Sequence, residues 1–262
     1  MILNIDVSLA YGLDQPVDLI LQIEAPSFPD QTVLSEHIDF GSPDHVGRIA
    51  GEAGLGARIL MRAAETFRCT YKSQIEIDRP ELTLEQLDAV PVHMLPGDTV
   101  RYLMPSRYCQ SDELQSFVAA EFGTLTGGAR IAAIRDWISQ HCRYMPGSST
   151  AQTTAIDTFV QRQGVCRDFA HVLITLARAS AIPARFASVY APRVTPQDFH
   201  AVAEVFLDGT WHLVDATGMA TAGEMARIGV GMDAAEVPFL SSFGWMSFQE
   251  QRVSVSIVDA PS

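Results

Sequence analysis

The chain has 262 residues, 47% hydrophobic and 19% charged, which is ample for a packed core and predicts one large domain or two small ones at about 150 residues each. Its net charge of −13 repels phosphate and argues against nucleic acid or an anionic membrane as partner. It lacks a run of about 18 apolar residues that would read as a transmembrane helix, and its first residues lack the features of a signal peptide, so the expectation is a soluble, cytoplasmic protein.

The first hundred residues read mainly as strands. Ile2 to Leu9, alternating in its first half, and Val17 to Ile23 are two of them, Arg58 to Arg62 follows a Gly-Leu-Gly turn, and Phe67 to Ile77 is another strand. Short strands separated by turn signals predict an antiparallel β-sandwich over residues 1–100. Val90 to Pro105, with four prolines and glycines, reads as a linker. Helical spacing then takes over. Ser111 to Phe122 opens on a capping serine with acidic residues in its first turn. Ala129 to Cys142 places Ile131, Ile134, Trp137 and Ile138 on one stripe. Thr154 to Arg162 is a short helix, and Cys166 to Ala181 is the clearest of all, ending before Pro183. Strands return at Ala184 to Tyr190, His200 to Leu207 and Thr210 to Ala216. A strand-rich part over residues 1–100 thus precedes a part of helices followed by strands over residues 101–262.

Four cysteines, Cys69, Cys109, Cys142 and Cys166, form no CxxC pair and have no histidine at zinc-ligand spacing. His37, His45 and His93 share no spacing either, so neither metal nor cofactor is predicted. Cys166 differs from the other thiols because Gly164-Val165 leads it into a helix, where unpaired amides favour thiolate over thiol. A free cysteine is more often an inert core residue, so a second feature is needed.

The second feature is a hairpin. Asp208-Gly209 is the preferred chemistry for a two-residue loop. If Leu207 pairs with Thr210, then Val202 opposes Asp215 and His200 opposes Thr217, which puts His200 and Asp215 on one face as diagonal neighbours about 7–8 Å apart at the backbone. An imidazole and a carboxylate can bridge that span. Asp208 sits in the turn and Glu204 lies further along the strand, so both are poorer partners. A thiol, an imidazole and an orienting carboxylate are the parts of acyl transfer through a thioester.

The blocks Gly164-Val165-Cys166-Arg167-Asp168-Phe169-Ala170-His171, Ile182-Pro183-Ala184-Arg185, Phe199-His200-Ala201 and Trp211-His212-Leu213-Val214-Asp215-Ala216-Thr217 resemble the bacterial transglutaminase-like superfamily, whose members are often described as candidate cysteine peptidases. The resemblance spans about Ile131 to Val237 and extends more loosely to the β-rich N-terminal domain. It implies an α+β, papain-like core over residues 101–262, with helices packed on an antiparallel sheet, and Cys166 as nucleophile, His200 as base and Asp215 as orienting acid. The family commonly has proline where Ala216 stands, asparagine at Gly218 and arginine at Met232. Its protein cross-linking members use a tryptophan upstream of the cysteine as oxyanion donor, but Trp137 lies on the apolar stripe. The Cys166 amide with Tyr144 or Gln163 takes that role instead.

Other polar residues are assigned structural roles. His171 is out of step with Cys166 on its helix. Asp168 favours the helix dipole but opposes a nearby thiolate. Arg185 suits a buried acid partner, His212 faces away from Asp215, and Gly127-Gly128 separates two helices. The expected function is cysteine-dependent cleavage or transfer of a peptide or protein amide, with hydrolysis favoured over transfer to an amine. A non-catalytic binding module on the same fold and an acyltransferase using a small thioester donor are the alternatives.

Overall fold

The computed structural model describes residues 1–258. In chain order the strands and helices are β1 (Ile2–Gly12), β2 (Val17–Leu21), β3 (Gln31–Asp39), β4 (His45–Ala50), β5 (Ala57–Ala63), β6 (Thr66–Ile77), α1 (Gln115–Phe122), α2 (Gly127–His141), β7 (Arg143–Tyr144), α3 (Ala155–Gln161), β8 (Gln163–Gly164), α4 (Cys166–Ala179), β9 (Ala184–Tyr190), β10 (His200–Leu207), β11 (Thr210–Val214), β12 (Ala226–Gly231), β13 (Leu240–Ser242) and β14 (Ser247–Val258).

Two four-stranded antiparallel sheets, ordered β14-β1-β6-β3 and β13-β2-β5-β4, form the sandwich. Alternation builds its interior: β6 buries Phe67, Cys69, Tyr71, Ser73, Ile75 and Ile77 and exposes the residues between them. Leu3, Ile5, Val7 and Leu9 of β1 and Leu19 and Leu21 of β2 join the same core. The expected division at residue 100 needs correction at its far end. The chain returns after the helical region, and β13 and β14 pair with β2 and β1, so the sandwich is built from both ends of the sequence.

The third sheet, ordered β11-β10-β9-β12, carries the helices. β9 and β10 are buried on both faces. Ala201, Ala203, Val205 and Leu207 pack toward α4 with Phe169, Leu173 and Leu176, while Val202 packs on the opposite face with Val189 and Met225. Between the sandwich and this sheet, the 84–103 segment forms short 3-10 turns rather than an open linker. It crosses the start of α2 at Gly128, whose amide donates to the Leu87 carbonyl at 2.8 Å. A Cβ at Gly128 would stand 1.7 Å from the Leu84 carbonyl oxygen, so this crossing requires glycine.

Ser111 does not cap α1 as expected. It starts a 3-10 turn, and Leu114, buried with non-helical backbone angles, delays the helix to Gln115. Thr154 does cap α3, its hydroxyl and the Asp157 carboxylate exchanging hydrogen bonds with each other's amides.

Candidate active site

Cys166 is the first residue of α4, half-buried at its N-terminus. The approach to the helix is tight. A Cβ on Gly164 would meet the Asp168 Cβ at 2.7 Å, so glycine lets Asp168 fold back and accept the Val165 amide at 2.8 Å. Asp168 is fully buried, and its carboxylate also accepts from Ser149 Oγ at 2.9 Å and from Arg167 at 3.2 Å. The charge expected to oppose a thiolate is thus paired with a guanidinium.

The hairpin has the predicted register. Leu207 pairs with Thr210, and the ladder continues through Ala203 and Val214, so Asp215 follows directly on β11. His200 opens β10 opposite Val189 of β9, and its Nε2 lies 2.9 Å from Asp215 Oδ2 with both side chains buried. His200 Nδ1, also buried, has no hydrogen-bond partner among the described residues, and Cys166 lies near the imidazole. Burial works to lower the His200 pKa, but the hydrogen bond to Asp215, the neighbouring Cys166 and the charges of both outweigh it and raise it to about 9. Asp215 shifts the other way: burial would raise it, but His200 and Thr217 hold it below its ordinary value.

Asp215 is itself held by residues that the sequence reading passed over. Its Oδ1 accepts the Thr217 amide at 2.8 Å and hydroxyl at 2.7 Å, and its Oδ2 accepts the Ala220 amide at 3.0 Å. An aspartate followed two residues later by threonine is an Asx-turn signal that could have shown this. Gly218, where the family carries asparagine, has φ of +72°, a conformation that glycine and asparagine both tolerate.

Tyr144 in β7 stands in register with Gly164, two residues before Cys166. Burial, followed by the neighbouring Cys166, raises the phenol to about 12, and the hydrogen bond from the Cys166 amide works against them. Gln163 is half-buried in β8 opposite Arg143. The other thiols are buried, and that burial raises Cys69 and Cys109 to about 12 and shifts Cys142 upward.

The remaining polar residues have structural settings. His171 is fully buried, stacks on Tyr108 with ring centroids 5.0 Å apart, and accepts the Ala234 amide; burial lowers its pKa to about 3. Arg185 bonds Glu204 at 2.7 Å and lies over Trp211 at 4.0 Å. Glu204 also holds Arg227, which bridges to Asp30 at 2.9 Å, and Asp30 in turn binds Arg79 at 2.6 Å. Asp208 accepts the Asp88 amide, and His212 bonds within its own hairpin. Trp137 packs edge-on against Phe117 and stacks on Phe159.

Residues 116–216 match the family model described as the transglutaminase-like superfamily. A solved structure of a candidate cysteine protease from Cytophaga hutchinsonii is 34% identical, covering 100% of this chain and 92% of that one with a TM-score of 0.94. The periplasmic domain of TgpA from Pseudomonas aeruginosa is 17% identical over 82% of this chain and 87% of that one, with a TM-score of 0.44. An uncharacterised protein of Mycobacterium leprae (strain TN) is 27% identical over 117 residues, 42% of this chain and 42% of that protein, so the match spans about two fifths of this curated relative. With the family model over its helical core and a related structure along its whole length, the chain belongs to the transglutaminase-like superfamily.

Proposed function

We propose that the protein is a cysteine-dependent acyl-transfer enzyme acting on a peptide or protein amide, with Cys166 as nucleophile, His200 as base and acid, and Asp215 as orienting carboxylate. The observation that carries this reading is His200 itself, with Nε2 bonded to Asp215 and Cys166 near its ring. The Cys166 sulfur attacks the amide carbon and its proton resides on His200. The tetrahedral intermediate collapses as the imidazolium protonates the departing amine, leaving a thioester. Water then attacks the thioester, His200 takes its proton, and the acid and free thiol are released. Hydrolysis is the favoured outcome, and an amine in place of water gives transfer through the same thioester. Four free cysteines suit a reducing compartment such as the cytoplasm.

The carbonyl oxygen becomes an oxyanion beside the Cys166 amide. Tyr144 is the better second donor than Gln163, because it pairs with Gly164 at the entry to α4 and its phenol responds to Cys166. Tyr144→Phe is expected to lower kcat by about 10²–10³, the usual loss of one such donor, with little change in KM. Equal loss in Gln163→Ala and none in Tyr144→Phe would reverse the assignment.

The pairing itself is tested by labelling. Iodoacetamide at pH 6 is expected to modify Cys166 first, because its sulfur is half-buried beside His200 while the other three thiols are buried. Preferential modification of Cys69, Cys109 or Cys142 would defeat the reading.

A further inference from the structure

The loop that leads into His200 is fastened to the sandwich. Gln197 donates from Nε2 to the Val255 carbonyl at 2.8 Å and accepts the Val255 amide at 2.7 Å, so it occupies the free edge of β14. Asp198, the next residue, accepts Gln251 Nε2 at 2.7 Å and the Phe199 amide at 2.8 Å. Both partners are neutral, so the charge of this exposed carboxylate stays uncompensated. Gln251 stands opposite Leu9 in the β1–β14 ladder, and Phe248 stands opposite Tyr11 on the same strands. The Tyr11 and Phe248 rings meet edge-on with centroids 5.9 Å apart, and Phe248 is 67% exposed. An unpaired carboxylate, two residues before His200 in the chain, and an aromatic pair are therefore both joined to β14.

The geometry points to a subsite for a cationic side chain, lysyl or arginyl, of the peptide substrate, formed by Asp198, Tyr11 and Phe248 beside Cys166. Aromatic faces attract ammonium and guanidinium groups, and the carboxylate supplies the opposite charge. Asp198 lies two residues before His200 in the chain, and its negative charge acts on both Tyr11 and Tyr144. The net charge of −13 draws basic peptides toward it. The anchoring by Gln197 and Gln251 fixes the carboxylate before substrate arrives, which limits the ordering cost of binding. This inference rests on the proposed acyl transfer for the place of the scissile amide, and it adds the class of residue that flanks that amide.

The test compares the modification rates of Cys166, followed by peptide mass spectrometry, with two methanethiosulfonates of similar size. One carries a trimethylammonioethyl group and the other a sulfonatoethyl group. The wild-type protein is expected to favour the cation, and Asp198→Asn, which keeps both hydrogen bonds, should reduce the cation-to-anion rate ratio roughly fivefold. Phe248→Ala should slow the cationic reagent about threefold and leave the anionic one unchanged. Glu76→Gln, opposite Ile2 at the other end of β1, controls for net charge. A ratio that shifts no more in Asp198→Asn than in Glu76→Gln, or an equal slowing of both reagents by Phe248→Ala, would overturn the subsite. These reagents also modify ordinary thiols, so the ratio is readable even if iodoacetamide finds Cys166 unactivated, a result that would instead remove the proposed chemistry.

Discussion

Cys166→Ala is expected to abolish turnover, and Asp215→Asn to lower kcat/KM by about 10³–10⁴, both with the fold retained. The second loss follows from proton placement. In the wild type, Nε2–H of His200 donates to Asp215 Oδ2, so Nδ1 offers a lone pair to the thiol. In Asp215→Asn, the Thr217 amide and hydroxyl still donate to the side-chain oxygen at this position, which turns the new NH₂ group toward Nε2. The imidazole must then carry its proton on Nδ1, where it cannot accept the thiol proton. Near-wild-type kcat/KM in Asp215→Asn would show that orientation by Asp215 is unnecessary.

The same pair sets a pH window for stability. The folded His200 pKa of about 9 lies above its ordinary 6.5, so its contribution is complete below 6.5 and is lost as pH rises through 9. Asp215, held below 3.8, contributes above that value and loses its contribution as pH falls through its lowered pKa. Asp215→Asn should therefore flatten the decline in melting temperature between pH 7 and pH 10.

Glu204→Ala is expected to destabilise the protein by about 3–5 kcal/mol, the cost of breaking a buried ion pair from one side. Glu204 is fully buried and separates Arg185 from Arg227. Without it, Arg185 keeps aromatic neighbours in Trp211 and Tyr102 but no carboxylate, while Arg227 keeps only Asp30, which it shares with Arg79. The urea midpoint measures the loss, and a midpoint within error of wild type would show that water reaches these guanidiniums. Because Glu204 shares β10 with His200 but touches neither the thiol nor the imidazole, the variant should retain Cys166 labelling under conditions where it remains folded.

The half of the molecule that carries Cys166, His200 and Asp215 was legible because its signals are local and doubled. The stripe on α4 and the Asp-Gly turn between β10 and β11 each fix a geometry, and the second places His200 against Asp215 by strand register alone. β3 and β4 escaped notice for a physical reason. Both are edge strands, mostly exposed along their length, and a strand that buries neither face has no alternation to read. β14 does alternate over its second half, but its partner β1 lies at the opposite end of the sequence, a pairing that local pattern cannot show. Asp198 was missed because its importance comes from Gln251 and Tyr11, which are brought to it by that pairing.

In the sheet ordered β14-β1-β6-β3, Ile2 faces Val258. A ribosome making this chain releases β1 and β6 early, but one flank of β1 stays open until some 250 further residues have emerged. Contacts of such range slow folding, and an unmatched strand flank invites association between nascent chains. The intervening helices and β9–β11 can collapse around α4 in the meantime. The loop carrying Asp198 gains its anchor at Val255 only when the last strand docks, so the mouth of the site is completed after its interior.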